Sequence, residues 1–130
     1  MSLKHENFYN EMYLSNEYAT GIEGRNEEEA LKMFIENYGL KDKKVLEIGC
    51  GRGAFQNLVE DYTGVDIALS VQKYINKKFV NASVENLPFE DETFDGIWSI
   101  AVLEHIINPE KALEEIARIL TIIKELNSKK

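Results

Sequence analysis

The stretch Val45–Phe55, which reads VLEIGCGRGAF, constrains the fold of this 130-residue chain more than any other. An apolar segment that predicts a buried strand runs directly into three glycines at alternate positions, Gly49, Gly51 and Gly53. Glycine loses more backbone entropy on folding than other residues, so three so close together indicate a loop with unusual backbone angles or a close backbone approach. Gly49, Gly51 and Ala54 fit the G-x-G-x-x-G/A spacing of a nucleotide-binding turn. The alternative is a tight strand-to-helix turn that holds no ligand.

Strands and helices alternate along the chain after residue 26. Apolar runs predict four strands, at residues 44–48, 62–67, 78–83 and 94–100. Asn26 followed by Glu29 is typical of a capping box, and Gly39 is a typical helix stop. Asn108 before Pro109 predicts the start of a last helix. Such alternation implies an α/β fold, a Rossmann-like three-layer sandwich with a mostly parallel sheet and right-handed crossovers.

The predicted helices each carry an apolar face. The first is expected to bury a face made of Ala30, Leu31, Phe34, Ile35 and Tyr38. A short helix is expected after the glycines, with Phe55, Leu58 and Val59 turned inward, and another over residues 69–77. The last helix is expected to bury Ala112, Leu113, Ile116, Ile119, Leu120, Ile123 and Leu126.

Composition excludes several classes of protein. The net charge of −8 disfavours binding to nucleic-acid phosphates, so no nucleic-acid partner is expected. No run of 18 apolar residues predicts a membrane span. Cys50 is the only cysteine, so no intramolecular disulfide can form, and a cytoplasmic location is expected. No set of His and Cys residues has the spacing of metal ligands, so no metal is expected.

Asp66 strengthens the interpretation of the glycine loop as a ligand site. It follows Gly49 by 17 positions and ends the second predicted strand. In parallel α/β sheets ligands bind beyond the carboxyl ends of the strands, where an acid can accept hydrogen bonds from both ribose hydroxyls. The alternative is a solvated acid at the start of a loop. A glycine loop with a strand-end acid indicates a cofactor that contains adenosine.

Glu47 distinguishes two cofactor classes, nicotinamide dinucleotides and S-adenosylmethionine. It is an acid inside an otherwise apolar strand, two residues before Gly49. A pyrophosphate requires a positive field at this position, which a carboxylate opposes. S-Adenosylmethionine has no phosphate and carries two cationic groups, an ammonium and a sulfonium. Glu47 therefore favours S-adenosylmethionine, unless its side chain points outward from an edge strand.

With these features the chain resembles class I S-adenosylmethionine-dependent methyltransferases of the small-molecule type. VLEIGCGRG resembles the first motif of that family, GVDI the second, and ENLPFEDETFDGIWSIAVLEHI the third and fourth. NPEKALEEIARIL resembles the helix after the fourth strand. The resemblance runs in order from about Val45 to Leu120 and implies a strand order of 3-2-1-4.

The resemblance also implies a set of cofactor contacts. The backbone of Gly49, Cys50 and Gly51 would approach the methionine part, with Gly53 completing the loop, and Cys50 is interpreted as a small loop residue, not a nucleophile. Ile67 would pack on the adenine. Ser83 occupies the position of an aspartate that meets the adenine amino group in many relatives, and a hydroxyl accepts a weaker hydrogen bond than a carboxylate. Val84 would offer its backbone N–H to the adenine, and Ser99 and Ile100 would line the methionine end.

The sequence departs from the family after Leu120. Relatives continue into Lys-Pro-Gly-Gly and further strands, whereas this chain continues as TIIKELNSKK without a residue that breaks the helix. The fourth strand is then expected to lie at an edge, with Trp98 and Ile100 losing part of their cover. An apolar edge favours association, so a homodimer or a partner chain is expected there. The chain is interpreted as a fragment, a minimal version, or a subunit that another chain completes.

Two groups outside the motifs are candidates for binding and catalysis. His105 follows the fourth strand and could act as a base if the acceptor arrives protonated, although a histidine that only hydrogen-bonds locally is an equal alternative. Residues 1–40 are expected to form a helical segment before a core of residues 41–130, within one domain. In the family such segments often cover the cofactor, so Arg25 could pair with the methionine carboxylate. The tyrosines of this segment, Tyr9, Tyr13 and Tyr18, could equally patch the core.

Three functions remain open from the sequence. The favoured one is a methyltransferase that uses S-adenosylmethionine and yields S-adenosylhomocysteine, with a small-molecule methyl acceptor. The second is a catalytically incomplete module for cofactor binding or protein interaction. The third is a protein that binds NAD, which Glu47 disfavours.

Overall fold

The computed structural model describes residues 25–100 and 106–121. Two α-helices are present in these ranges, α1 (Arg25–Tyr38) and α2 (Pro109–Ile119). The strands are β1 (Lys44–Ile48), β2 (Asp61–Asp66), β3 (Lys78–Asn81) and β4 (Gly96–Ser99). A 3₁₀ helix, Leu69–Tyr74, connects β2 to β3.

The four strands form one parallel sheet in the order β3-β2-β1-β4. This confirms the α/β fold class and the strand order expected from the sequence. β1 lies inside the sheet, where Glu47 is flanked by Gly64 of β2 and by Trp98 of β4. The edge-strand alternative for Glu47 is therefore wrong. The carboxyl ends of all four strands meet at one edge, which is where ligands bind in sheets of this type.

A hydrophobic cluster lies on each face of the sheet. On one face Leu31 and Ile35 of α1 belong to the same cluster as Val45, Tyr62 and Trp98. On the other face Ala112 and Ile119 of α2 join the cluster of Leu46, Ile48, Val65 and Phe94. Helices on both faces of a parallel sheet explain why the central strands are buried on both faces.

The prediction of a short helix after the glycines is wrong. Residues 51–60 form successive turns and bends, in which the N–H of Gln56 bonds the carbonyl of Gly53 and that of Leu58 bonds the carbonyl of Phe55. Gly53 has a φ of 76°, which a right-handed helix cannot contain. The second expected short helix is present as the 3₁₀ helix.

In α1 the expected face is only partly buried. Leu31 and Ile35 are buried as predicted, but Ala30 and Tyr38 are exposed, and Tyr38 contacts the ring of Phe34 at 5.2 Å between centroids. Asn26 lies inside the helix, so it is not the N-cap that the capping-box pattern predicts. The helix ends before Gly39, which has a φ of 62°, as predicted.

The start of α2 is as predicted, and its buried face is so only in part, since Ala112 and Ile119 are buried as expected. Asn108 Oδ1 accepts a hydrogen bond from the N–H of Lys111 at 3.2 Å, and Pro109 is the first helical residue. Leu113 is 56% exposed, whereas Glu115 is buried. The prediction assigned the buried face by residue type alone, whereas the charged Glu115 occupies one of the buried positions. Ile123 and Leu126 lie outside the described residues.

The outer side of β4 is partly covered by the chain itself. The helix ends at Ile119, and Leu120 forms a parallel bridge with Phe94, just before β4. The N–H of Phe94 bonds the carbonyl of Ile119, and the N–H of Thr121 bonds the carbonyl of Phe94, each at 2.9 Å. Trp98 is only 5% exposed, so the expectation that it loses cover is wrong, while Ile100 is partly buried. Association through this edge stays a prediction.

Candidate functional site

The glycine loop follows β1 directly, at the carboxyl edge of the sheet. Gly49, Gly51 and Gly53 have φ angles of 72°, 52° and 76°, in the left-handed region that side chains disfavour. A Cβ atom on Gly53 would also lie 2.6 Å from Ile75 Cδ1 and from Gln56 Nε2. The three glycines are therefore required by the loop's backbone, whether or not a ligand is bound.

Four backbone amides of this loop already have partners within the protein. The N–H groups of Gly49 and Cys50 both bond the carbonyl of Val65, at 2.8 and 3.1 Å. The Gly51 N–H bonds Asp66 Oδ2 at 3.0 Å, and the Gly53 N–H bonds the carbonyl of Cys50 at 2.9 Å. The loop is thus closed onto the end of β2 and leaves none of these donors for a phosphate.

Asp66 holds together the two loops at the centre of the site. Its Oδ2 accepts the bond from Gly51, and its Oδ1 accepts one from the N–H of Ala68 at 2.9 Å. Burial raises the pKa of Asp66, and the hydrogen bonds from backbone N–H groups oppose that rise. An ionised carboxylate has about four lone-pair positions, so two positions remain for further donors.

Glu47 is buried beneath the loop, on the sheet face that α1 covers. Its Oε1 accepts a hydrogen bond from the hydroxyl of Tyr62 at 2.5 Å. Burial raises the pKa of Glu47 to about 7; the bond from Tyr62 and the nearby indole N–H of Trp98 oppose the rise, and the charge of Asp66 adds to it. That indole nitrogen is buried without a well-aligned hydrogen-bond partner among the described residues. Two carboxyl groups, those of Glu47 and Asp66, therefore act on the same small region.

The segment after β3 forms a turn next to the end of β2. Ser83 Oγ accepts a hydrogen bond from the N–H of Glu85 at 3.1 Å, and the Ser83 carbonyl accepts one from Asn86 at 3.0 Å. Val84 is buried in the cluster on the α2 face. The structure thus brings the predicted adenine contacts, Ser83 and Val84, to the same edge as Asp66 and the partly buried Ile67.

Asn81 is a site residue that the sequence analysis missed. Its Nδ2 donates to the carbonyls of Asp66 and Ile67, at 3.0 Å each, and so ties the end of β3 to the end of β2. The signal in the sequence is an amide at the last position of a strand in a parallel sheet.

The end of β4 completes the described part of the site. Ser99 pairs with Ile48, the residue before the glycine loop, and its hydroxyl is buried without a hydrogen-bond partner in the described ranges. Ile100 follows it. His105, the side chain of Arg25 and the tyrosines of residues 1–24 lie outside the described residues, so their roles stay predictions.

The described residues contain neither a metal-binding cluster nor a membrane-spanning helix. No group of three or more His, Cys, Asp and Glu side chains in residues 25–100 and 106–121 is arranged to hold a metal ion. Within the same ranges, no helix has the length and apolar character needed to cross a membrane.

Comparison with known proteins assigns the fold and the site to a family. Residues 46–122 match the model of a family described as a methyltransferase domain. The chain belongs to the methyltransferase domain family. The match begins in β1 and extends past α2, so it includes the glycine loop, Asp66 and Ser83. The sequence-based resemblance to class I S-adenosylmethionine-dependent methyltransferases is confirmed.

Individual relatives agree with this assignment. An uncharacterised protein of Methanocaldococcus jannaschii is 41% identical over 97 residues, which are 71% of this chain and 43% of that protein. The sterol 4-C-methyltransferase of Caenorhabditis elegans is 36% identical over 119 residues, with 76% of this chain and 36% of the relative covered. The crystal structure of a SAM-dependent methyltransferase from Thermotoga maritima has 27% identity and a TM-score of 0.61, and the match covers 88% of this chain and 54% of that one.

This methyltransferase domain spans less than half the length of the curated relatives described above. The family match over residues 46–122 includes most of the parallel sheet and the loops at its carboxyl edge.

Proposed function

We propose that this methyltransferase domain binds S-adenosylmethionine at the carboxyl edge of its sheet and transfers the methyl group to a small-molecule acceptor. The observation that carries this proposal is the pairing of a closed glycine loop with the buried carboxyl of Glu47. The loop amides of Gly49, Cys50, Gly51 and Gly53 are bonded within the protein, so they cannot hold a phosphate.

The same arrangement fits a cationic ligand. A dinucleotide would place its pyrophosphate over the loop, where free amides and a helix N-terminus normally stabilise it. Here no helix follows the loop, and the carboxyl of Glu47 lies beneath it. The ammonium and sulfonium of S-adenosylmethionine need no such amides, and an acid nearby favours them. The alternative of an NAD-binding protein is therefore disfavoured by structure as well as by sequence.

The proposal includes the other contacts predicted from the sequence. Asp66 would accept the ribose hydroxyls with its two remaining lone-pair positions. Ile67, Ser83 and Val84 would contact the adenine from the ends of β2 and β3. The backbone at Ser99 and Ile100 would line the methionine end, with Arg25 pairing its carboxylate.

The bound cofactor supplies an activated methyl group, and the protein supplies alignment. Methyl transfer is an in-line displacement, so its rate depends mainly on holding acceptor and methyl group in line and excluding water. A base is needed only when the acceptor carries a proton on its nucleophilic atom, and His105 is proposed for that role. The sterol methyltransferase and the mycobacterial phthiotriol dimycocerosate methyltransferases among the relatives support a small-molecule acceptor.

Calorimetric titration of the purified chain tests the proposal. S-Adenosylhomocysteine is expected to bind, and NAD at the same concentration is not. Binding of NAD without binding of S-adenosylhomocysteine would overturn the assignment. Asp66→Ala is a poor variant for this purpose, because it also removes the acceptor for the Gly51 and Ala68 amides.

Glu47→Gln is a sharper variant, since the amide oxygen can still accept the bond from Tyr62. It is expected to weaken S-adenosylhomocysteine about tenfold, the effect of losing one charge-assisted contact, and to leave 5′-methylthioadenosine unchanged because that ligand has no ammonium. Glu60→Gln, at an exposed position, is the matched control. Equal weakening of both ligands by Glu47→Gln would contradict the proposed contact.

A further inference from the structure

An ion pair on α2, between a buried carboxyl and an arginine whose side chain is 31% exposed, lies outside every contact proposed so far. Glu115 is 6% exposed, although it is charged and belongs to a surface helix. Arg118, one turn later, donates from Nε to Glu115 Oε2 at 2.7 Å and from Nη2 to Oε1 at 3.2 Å. Burial of a charged group is costly unless further hydrogen bonds satisfy it. The other hydrogen-bond partners of Glu115 and Arg118 therefore indicate the role of this ion pair.

Those partners all belong to the loop Leu87–Asp91, which follows the Ser83 turn. The N–H of Leu87 donates to Glu115 Oε1 at 2.8 Å, and the carbonyl of Leu87 accepts from Arg118 Nη2 at 3.0 Å. Arg118 Nη1 donates to the carbonyl of Phe89 at 2.7 Å and to Asp91 Oδ1 at 3.0 Å. The pair therefore binds both backbone groups of Leu87 and a second carbonyl two residues later.

The electrostatics of the pair match this geometry. The hydrogen bond from Arg118 holds the pKa of the Glu115 carboxyl below its usual range, so both side chains are charged at neutral pH. Charge-assisted hydrogen bonds of this kind are shorter and roughly twice as strong as neutral ones. The planar guanidinium binds acceptors on four residues of two segments at once, which a lysine ammonium cannot reproduce with the same geometry.

Fixing Leu87 fixes the turn that precedes it. Only two residues separate Val84 from Leu87, and both side chains are buried in the same cluster as Ala112 and Ile119 of α2. The Ser83 turn is thus held from both sides, by Asn81 at the end of β3 and by the ion pair at Leu87.

We propose that Glu115 and Arg118 are positioning residues for the adenine pocket: they hold Leu87, and through it Ser83 and Val84, at the distance that the cofactor requires. This inference rests on the proposed function, because it assigns the Ser83 turn to the adenine. Neither residue touches the cofactor itself.

Two variants of the full chain test the proposal, Glu115→Gln and Arg118→Lys. Each is expected to weaken S-adenosylhomocysteine and 5′-methylthioadenosine by the same factor, about tenfold, because both ligands contain the adenine. Glu114→Gln, the same change at the neighbouring exposed position, is the matched control and is expected to leave both dissociation constants unchanged. Titrations are made well below the melting temperature of each variant.

The outcomes separate the two proposals. A purely structural ion pair would lower the melting temperatures of both variants but leave the dissociation constants of the folded proteins unchanged, and that result would overturn the positioning role alone. Absence of binding by the wild-type chain would overturn the proposed function and the positioning role with it. If Arg118→Lys does not fold, the isosteric Glu115→Gln still decides the question.

Discussion

At the scale of single residues, the buried carboxyl of Glu47 makes the stability of this fold depend on pH. Its pKa is raised by burial from 4.5 to about 7, so between these values the folded state binds a proton that the unfolded state has released. The free energy of unfolding therefore falls as pH rises through this window, by about 3 kcal/mol when Glu47 is considered alone.

Glu47→Gln is expected to remove that dependence. Urea unfolding at pH 5 and pH 8 should show the variant gaining stability over the wild type at pH 8, and little difference between them at pH 5. Glu60→Gln controls for the loss of a negative charge as such. The same slope in wild type and Glu47→Gln would show that Glu47 does not titrate in this range.

Ser83 offers a gain-of-affinity test. The family resemblance implies an aspartate at this position in many relatives, and the Ser83 hydroxyl forms a turn that an aspartate can also form. Ser83→Asp is expected to strengthen S-adenosylhomocysteine about tenfold in calorimetry, because a charged acceptor would meet the adenine amino group. Ser83→Asn has nearly the same shape without the charge. An equal gain in both variants would attribute the effect to shape.

At the scale of elements, the close contact between β2 and the glycine loop depends on Gly64. A Cβ atom there would lie 2.9 Å from both Cβ and Sγ of Cys50 and 3.1 Å from the Tyr62 hydroxyl. Gly64→Ala is expected to lower the free energy of unfolding by about 1–3 kcal/mol, the usual cost of overpacking. Gly96→Ala is expected to cost a similar amount, because its Cβ would lie 2.6 Å from Cδ1 of Leu40, a side chain buried in the core. Chemical denaturation measures both, and an unchanged midpoint for Gly64→Ala would contradict this account.

The strands were predictable from sequence, and the helices only in part. A central parallel strand is buried on both faces, so a segment such as Val45–Ile48, apolar except at Glu47, has few other solutions. The apolar spacing of the stretch after Gly53 fits a helix. The backbone of the glycine loop before it depends instead on distant residues, through the hydrogen bonds to Val65 and Asp66 and the positive φ of Gly53. Leu113 is exposed and Glu115 is buried, the reverse of what their residue types predict. The reason is again a distant contact, because Glu115 accepts a hydrogen bond from the backbone of Leu87, 28 positions away.

The candidate site, like the fold, could be predicted from the sequence only in part. Sequence spacing identified Asp66, because its position relative to Gly49 follows from the length of one strand–loop–strand unit. It could not identify Glu115 or Arg118, whose partners include carbonyl and amide groups of another loop. Backbone acceptors leave no mark on the sequence, so residues that bind them are visible only in three dimensions.

At the scale of the whole molecule, the cofactor would add contacts between the ends of the strands. Its proposed contacts come from the ends of all four strands. S-Adenosylhomocysteine at one hundred times its dissociation constant is therefore expected to raise the free energy of unfolding by about 2.7 kcal/mol. Thermal unfolding with and without the ligand measures this shift, and NAD serves as the control. A ligand that binds in calorimetry without raising the melting temperature would show binding to a state other than the folded one.

The hydrogen-bonded amides of the glycine loop affect the rate at which a ligand associates. Because Gly49, Cys50, Gly51 and Gly53 are bonded to their own chain, this wall of the pocket is preorganised, and its ordering entropy is lost during folding instead of during association. Encounter with a ligand then requires no rearrangement of the loop. Association should follow a single exponential phase whose rate rises linearly with ligand concentration.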